Sequence, residues 1–388
     1  MEHSLGCDRT KLQELKVYFI PDILNKMHER QALVDFSKAH IKRFSNVCIV
    51  LNLEPIWGLP RVECKVYEFE PLTRDLLFQY QYVKNQTTGK WDLRKQPCPP
   101  IAMIEVENMD RQIYDQYLTD VADNYLGEFA GRFYKSEQDD FCARLLHLMV
   151  QYHRASGPND EEKSLLHEIF RLLVATYIMG RSITIPRSQW PRLTKLKSHA
   201  HSSPSWATHI SPRMTNKQLK YLWSSLFNSA MDSVLKRLQQ SLRSSNGDKK
   251  WTSAFCAFLG LAMCFEDVQR TVHVFCESDA KDGLCAQDVA DRRAEDTCRA
   301  TDEKFRFMAA LFRAKHSRFN PFRPGPAREK IGPAARGLVE GVEELVREKS
   351  EFLQERQHQE ILAANQGRYT ARLLARFLLP FWGPSREV

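Results

Sequence analysis

The residues best equipped for chemistry in this chain are its ten cysteines and twelve histidines, and their spacing argues against metal or redox work. Zinc and thioredoxin-like sites bring two sulfurs onto one ion or one turn by separating a cysteine pair by two residues. No two cysteines here have that spacing. Cys256, Cys264, Cys276, Cys285 and Cys298 lie in or after an apolar run and read as small buried fillers. His199, His201 and His209 stand in a Ser/Pro-rich stretch with no cysteine or carboxylate nearby, so the rest of a ligand set is missing. Glycine-rich phosphate cradles, His-Glu-x-x-His and Gly-x-Ser-x-Gly are absent. The acidic clusters at Asp139-Asp140, residues 160–162 and Glu343-Glu344 fall at predicted helix starts or on polar faces, where carboxylates cap and solvate rather than transfer protons. The sequence thus assigns no catalytic, cofactor-binding or metal-ligating residue, and the chain reads as a non-enzyme that needs no cofactor.

A second chemistry is electrostatic. The formal net charge is +8, and the excess is concentrated: residues 181–220 hold eight Lys or Arg and no Asp or Glu. Such a block attracts nucleic acid or an acidic partner without reading sequence. Because Ser, Pro and His fill the rest, it reads as a solvated loop with no helix or ribbon to place against base edges. No helix-turn-helix, basic zipper or Cys/His finger accompanies it.

The elements that would carry these residues are mainly helical. Residues 21–50 read as an apolar periodic helix opened by Pro21-Asp22. Val62, Cys64 and Val66 alternate and mark one short strand near 62–69. Residues 71–84 read as another helix, followed by a turn-rich connector. Met109, Ile113, Tyr117, Val121, Tyr125, Phe129 and Phe133 recur every four residues as one drifting stripe. Helices follow around 139–154 and 161–180. Residues 216–243 then place eleven apolar side chains from Leu219 to Leu242 on one broad face, too wide for a coiled-coil seam. Each large side chain buried there contributes about 1.5–3 kcal/mol before chain entropy.

The fifteen residues 251–265, WTSAFCAFLGLAMCF, carry no charge. As helix they span about 22 Å, short of the roughly 30 Å hydrocarbon core of a bilayer. Continuation to Phe275 adds Glu266, Asp267, Arg270 and His273, which lipid disfavours. An all-round apolar helix of this kind is the centre of a soluble fold. The start of the chain has neither a signal core nor an Arg/Ser-rich presequence, so no membrane association and reduced thiols are expected.

Three collinear stretches carry a family resemblance. CKVYEFEPLTRDLLFQYQYVKNQTTGKWDLRKQPCPPIAM (64–103), WTSAFCAFLGLAMCFEDVQ (251–269) and EKFRFMAALFRAKHSRFNPF (303–322), with FLQERQ (352–357) behind them, resemble the regulatory region of fungal zinc binuclear cluster transcription factors. The likeness extends over about 12–381. It implies an all-α regulatory domain with a buried central helix, working in the nucleus, with the cytosol as alternative. That family reads DNA through six N-terminal cysteines around two zinc ions, and no such module is found here. The expectation is either a module encoded upstream or a relative that lacks it. The partners implied are transcriptional co-regulators or a second copy of the chain, with at most weak, sequence-indifferent nucleic-acid binding through residues 181–220. The organisation expected is an N-terminal helical part (1–180), a basic loop (181–215) and a C-terminal helical part (216–388) packed on the first. The rival readings are a non-transcriptional helical adaptor and, further off, an enzyme of another type.

Overall fold

The computed structural model describes residues 11–85, 87, 91–104, 106, 109–135, 139–155, 160–196, 210–244, 250–323, 325–359 and 371–382. Helices α1 (Lys16–Phe19), α2 (Asp22–Met27) and α3 (Arg30–His40) lead into strands β1 (Ile41–Leu53), β2 (Val62–Pro71), β3 (Phe78–Lys84), β4 (Trp91–Pro97) and β5 (Ile101–Ala102). The rest is helical: α4 (Gln112–Asn124), α5 (Leu126–Phe133), α6 (Phe141–Arg154), α7 (Asp160–Gly180), α8 (Trp190–Leu193), α9 (Arg213–Arg243), α10 (Trp251–Lys281), α11 (Gln287–Lys315), α12 (Pro326–Lys330), α13 (Pro333–Glu348), α14 (Ser350–His358) and α15 (Arg372–Leu378). The fold is mostly α with two small antiparallel sheets, one ordered β1-β2-β5 and one a β3-β4 pair.

The strands correct the all-α expectation. Only β2 coincides with the strand expected near 62–69. The predicted helix over 21–50 stops at His40, because Val47, Ile49, Leu51 and Leu53 alternate and put one face of β1 toward the core. β-branched residues at 41, 47, 49 and 50 favour that extended form. The predicted helix over 71–84 is instead a short 3-10 turn, Arg74–Leu77, followed by β3. Its Phe78, Tyr80 and Tyr82 have the period of a strand, and the expected connector supplies the partner β4, paired from Phe78↔Pro97 to Lys84↔Trp91.

The expected stripe from Met109 to Phe133 divides into α4 and α5. A repeat of four advances about 40° per step beyond a full helical turn, so seven members cannot share one face. Ile113 and Tyr125 are exposed, while Tyr114 and Leu118 are buried in their place.

α10 is the centre. α7, α9, α11 and α15 all pack against it, and every residue from Trp251 to Gln269 is buried. The helix is long and apolar enough to cross a membrane by composition, but its most apolar stretch lies entirely inside the fold. Trp251 stacks on Phe255 at 4.8 Å, and Phe258 on Phe377 at 5.2 Å. Gly260 lets α7 approach: a Cβ there would lie 2.3 Å from Ile169 Cγ2. Gly260→Ala should therefore overpack the α7–α10 contact and cost about 1–3 kcal/mol in denaturant unfolding. Unchanged stability would mean that the two helices are not this close.

On α9 the predicted apolar face is buried, but Leu226 and Leu242 lie at its half-buried rim. The positions with no exposure are Leu219, Leu222, Trp223, Met231, Val234, Leu235 and Leu238. A carboxylate introduced by Leu226→Asp would reach solvent more readily than one at Leu222.

Candidate functional site

The sequence placed its electrostatic site in the basic block, and the structure turns part of that block inward. Ile183, Ile185, Leu193 and Leu196 are buried, and Ile185 bridges to Ile210, so the described part is docked chain rather than solvated loop. Arg181 donates through Nη1 to both oxygens of Asp267 at 2.8 and 2.9 Å and lies 4.5 Å over the Tyr177 ring. Arg192 donates to the Val50 carbonyl at 2.6 Å. Arg213 donates to the Asp75 and Phe78 carbonyls at 2.8 and 3.2 Å. Lys217 donates to Met27 O at 3.1 Å and stands 4.7 Å over Phe36. Arg213, Lys217 and Lys220 lie on α9 itself, so the block does include a helix. Residues 197–209, with Lys197, His199, His201 and His209, lie outside the described residues.

The nine described cysteines are free thiols, and all but Cys48 and Cys285 are buried. Burial pushes Cys64 and Cys264 up to about 12 and Cys98 and Cys276 up to about 11, which keeps them protonated and poor as ligands or nucleophiles. Among the described residues no three His, Cys, Asp or Glu side chains converge on one point. The acidic clusters act as fasteners. Asp139 accepts the Phe141 N–H at 2.7 Å, capping α6, and takes Lys349 at 3.0 Å. Asp140 pairs with Lys349 at 2.7 Å and Glu343 with Arg328. The side chains of Asp160 and Glu161 lie outside the described residues.

Two polar constructions were not read from the sequence. The first is a buried ionic knot that ties α15 to α10 and α11. Arg372, with no exposure, donates to both oxygens of Asp302 and to Gln269 Oε1 at 2.9 Å. Gln269 Nε2 donates to Asp302 Oδ1 at 2.8 Å, and Arg376 Nη1 to Asp302 Oδ2 at 2.8 Å. Glu266 caps the start of α15 by accepting the N–H groups of Ala371, at 2.7 Å, and Leu373. It thereby holds Ala371 at a φ of 77°, a left-handed conformation costly for a residue with a Cβ. Burial pushes the Glu266 carboxyl up to about 8, against the pull of Arg372 and those two N–H groups.

The second is a small cavity of about 30 Å³ where α2, α7, α9 and α10 meet. Leu24, Phe227 and Val268 give it apolar walls; His28, Ser224 and Thr271 give it polar edges. Gly180 closes one side, and a Cβ there would press on Thr271 Oγ1 at 2.9 Å. His28 is buried, and its Nδ1 has no hydrogen-bond partner among the described residues. Burial, then Lys220 and Lys217, bring its basicity down to about 3, so the ring is neutral. Lys220 is half-buried, and burial together with Arg181 and Lys217 lowers it to about 8.

The model of the KpeA transcription factor family matches residues 19–377. The chain belongs to that family. No curated protein and no solved structure matches it. The KpeA family match begins and ends on two rings of the core: Phe19 stacks on Phe265 of α10 at 4.0 Å, and Phe377 on Phe258 of α10 at 5.2 Å. Both the cavity and the knot fall inside the matched span.

Proposed function

We propose that this chain is the regulatory part of a fungal, zinc-cluster-type transcription factor, working in the nucleus by noncovalent binding rather than by covalent chemistry. Its occupants on this reading are co-regulators, a second copy of the chain, or a small effector. Each shifts the population of a binding-competent state. The observation that carries the reading is the family match from Phe19 to Phe377, which takes in the central helix and everything packed on it. The three stretches that resemble the zinc-cluster regulatory region lie in order on β2 to β5, on α10 and on α11, which supports the finer assignment. The 1–180 and 216–388 parts act as one unit through α10.

The inward-turned basic block supports regulation rather than sequence reading. A guanidinium already donating to Asp267, or to the Val50, Asp75 or Phe78 carbonyls, is not poised for bidentate contact with a base edge. Exposed Arg187 and Lys195 remain for phosphates. Any DNA association should accordingly be sequence-indifferent, with a Kd near 10⁻⁴–10⁻⁶ M that weakens steeply with salt. Competition at physiological salt checks this, and a hundredfold preference for one duplex over its scrambled form overturns it. Fusing the chain to an unrelated DNA-binding domain tests the regulatory role. Reporter transcription should change severalfold, and a fusion no different from the bare domain would sink the proposal.

A further inference from the structure

α11 changes character half-way along. Its amino-terminal half pairs its cations: Arg292 with Asp288 at 2.6 Å, Arg293 with Asp279 at 3.4 Å and Arg299 with Asp296 at 3.7 Å. From Glu303 to Arg318 the chain holds five Lys or Arg against a single acid, Glu303. Among the described residues, none of Lys304, Arg306, Arg313, Lys315 and Arg318 has an acid or a hydrogen-bond partner for its side chain. Phe307 and Leu311 stand between these cations and are 36% and 39% exposed. Lys304, Phe307, Leu311 and Lys315 are spaced by three, four and four residues, so they form one stripe along the helix. α1 packs on α11 at the amino-terminal end of that stripe. There Thr301 Oγ1 donates to the Tyr18 carbonyl at 2.6 Å, and Lys304 Nζ stands 4.7 Å over the Tyr18 ring. Tyr18 and its neighbour Val17 are exposed, whereas Phe19 is fixed in the core against Phe265. The outcome is a firmly seated apolar ledge bordered by positive charge that the fold does not neutralise.

We infer that this ledge is the docking site for an acidic amphipathic helix of a partner protein. The partner's apolar side chains lie on Tyr18, Phe307 and Leu311, and its carboxylates on Lys304, Lys315 and Arg318. Charge decides the occupant. A helix laid along the stripe covers it with its own apolar row, and acidic residues beside that row meet cations with no internal ion pair to give up. A second copy of the same surface would set unpaired cations against unpaired cations, which opposes association. A nucleic-acid backbone would neutralise the cations, but its phosphates and sugars leave Phe307 and Leu311 without apolar cover. The site deepens the co-regulator reading and rests on it for its biological meaning. It is tested on the purified chain without any reporter, so the failure of one is seen apart from the failure of the other.

The probe is a fluorescein-labelled peptide of about 16 residues, long enough to form helix on the surface, with Leu at i, i+4, i+7 and i+11 and Glu on either side of that row. Its controls are a scramble of the same composition, polyglutamate of the same length, and the same peptide with Lys in place of Glu. Fluorescence anisotropy should show saturable binding with a Kd on the order of 10 µM, weakening severalfold as salt rises from about 0.05 to 0.3 M. The scramble and polyglutamate should bind at least tenfold more weakly. Phe307→Ser/Leu311→Ser alters exposed positions, so it should fold like the parent and lose tenfold or more in affinity. Lys304→Glu/Lys315→Glu touches charge alone and keeps the test decisive if the serine variant unfolds. It should lose the acidic peptide and gain the Lys-bearing one. Absence of saturable binding, a scramble bound as tightly as the amphipathic peptide, or an unchanged peptide preference in the charge-reversed variant would each overturn the assignment. A random-sequence duplex that displaces the peptide, when the scramble also binds equally, would make the ledge a nucleic-acid contact and overturn it as well.

Discussion

Asp302→Ala should lower the unfolding free energy by about 3–5 kcal/mol, the range for breaking one side of a buried ion pair. Asp302 is 6% exposed and accepts from Gln269, Arg372 and Arg376. Its removal leaves the wholly buried Arg372 with Gln269 Oε1 as its remaining partner in the knot. Arg376 is half-buried and retains the Gln357 and Gln359 carbonyls, so the damage concentrates on Arg372. A charge that cannot reach water either strains the core or pulls α15 away from α10. Denaturant unfolding measures the loss, and a change under about 1 kcal/mol would show that the knot adds little to the fold. Replacing both partners, Asp302→Leu with Arg372→Met, should recover most of the stability, because an apolar pair of similar volume carries no desolvation penalty. If the double variant is as unstable as Asp302→Ala, the loss comes from packing rather than from the stranded charge.

The knot shows where sequence reading ran out. The uncharged run before Glu266 made α10 legible, because fifteen apolar residues in a row have few other homes. The same reasoning used Glu266 and Asp267 only as charges that lipid disfavours and assigned them no partners, and they are 3% and 4% exposed. Their partners lie far along the chain: Arg181 for Asp267, 86 residues away, and the backbone of Ala371 and Leu373 for Glu266, 105 and 107 residues away. Nothing local announces such pairings. One local signal did exist, since Arg372 and Arg376 sit one turn apart in the otherwise apolar stretch RLLARFL. Two arginines on a buried face require an acid.

The basic block was misread for a connected reason. The acceptors that hold Arg192 and Arg213 are carbonyls of Val50, Asp75 and Phe78, in or beside strands that the sequence reading took for helices. A helix interior satisfies its own carbonyls, whereas strand edges and 3-10 turns leave them open to side chains. Once β1 and β3 are strands, Arg192 and Arg213 have carbonyls of the fold to donate to. The cavity was invisible for a third reason, because its walls come from four helices, with lining residues that run from Ile20 to Thr271 along the chain.

Acidification from neutrality to pH 4 should cost as much stability as the Asp302 substitution, through two histidines. His28 and His273 are 7% and 1% exposed. Burial first, then Lys220 and Lys217, lowers His28 to about 3. Burial also lowers His273 to about 4, with Arg372 acting in the same sense and Asp291 and Glu277 against it. Both folded values lie below the value of about 6.5 in the unfolded chain, so between them the unfolded state binds the extra proton. The stability that the two rings contribute is therefore complete above pH 6.5 and is lost as pH falls toward the folded values, at up to about 1.4 kcal/mol per unit for each ring. Glu266 works in the opposite sense. With a folded value of about 8, it takes up a proton on folding, so its contribution declines as pH rises from about 4.5 to 8, again by up to about 1.4 kcal/mol per unit. The two histidines outweigh it below pH 6.5 and it dominates just above, which puts a stability maximum near pH 6.5; toward pH 8 Lys220 and Lys217, each lowered by burial to about 8, gain stability with rising pH and work against it. Denaturant unfolding of the wild-type chain across pH 4–8 should trace that maximum. In His28→Gln/His273→Gln the acid limb should flatten or reverse while the fall just above pH 6.5 persists. An acid limb as steep in the double variant as in the wild type would assign the acid sensitivity to the surface carboxylates, and the two buried rings would then have no part in it.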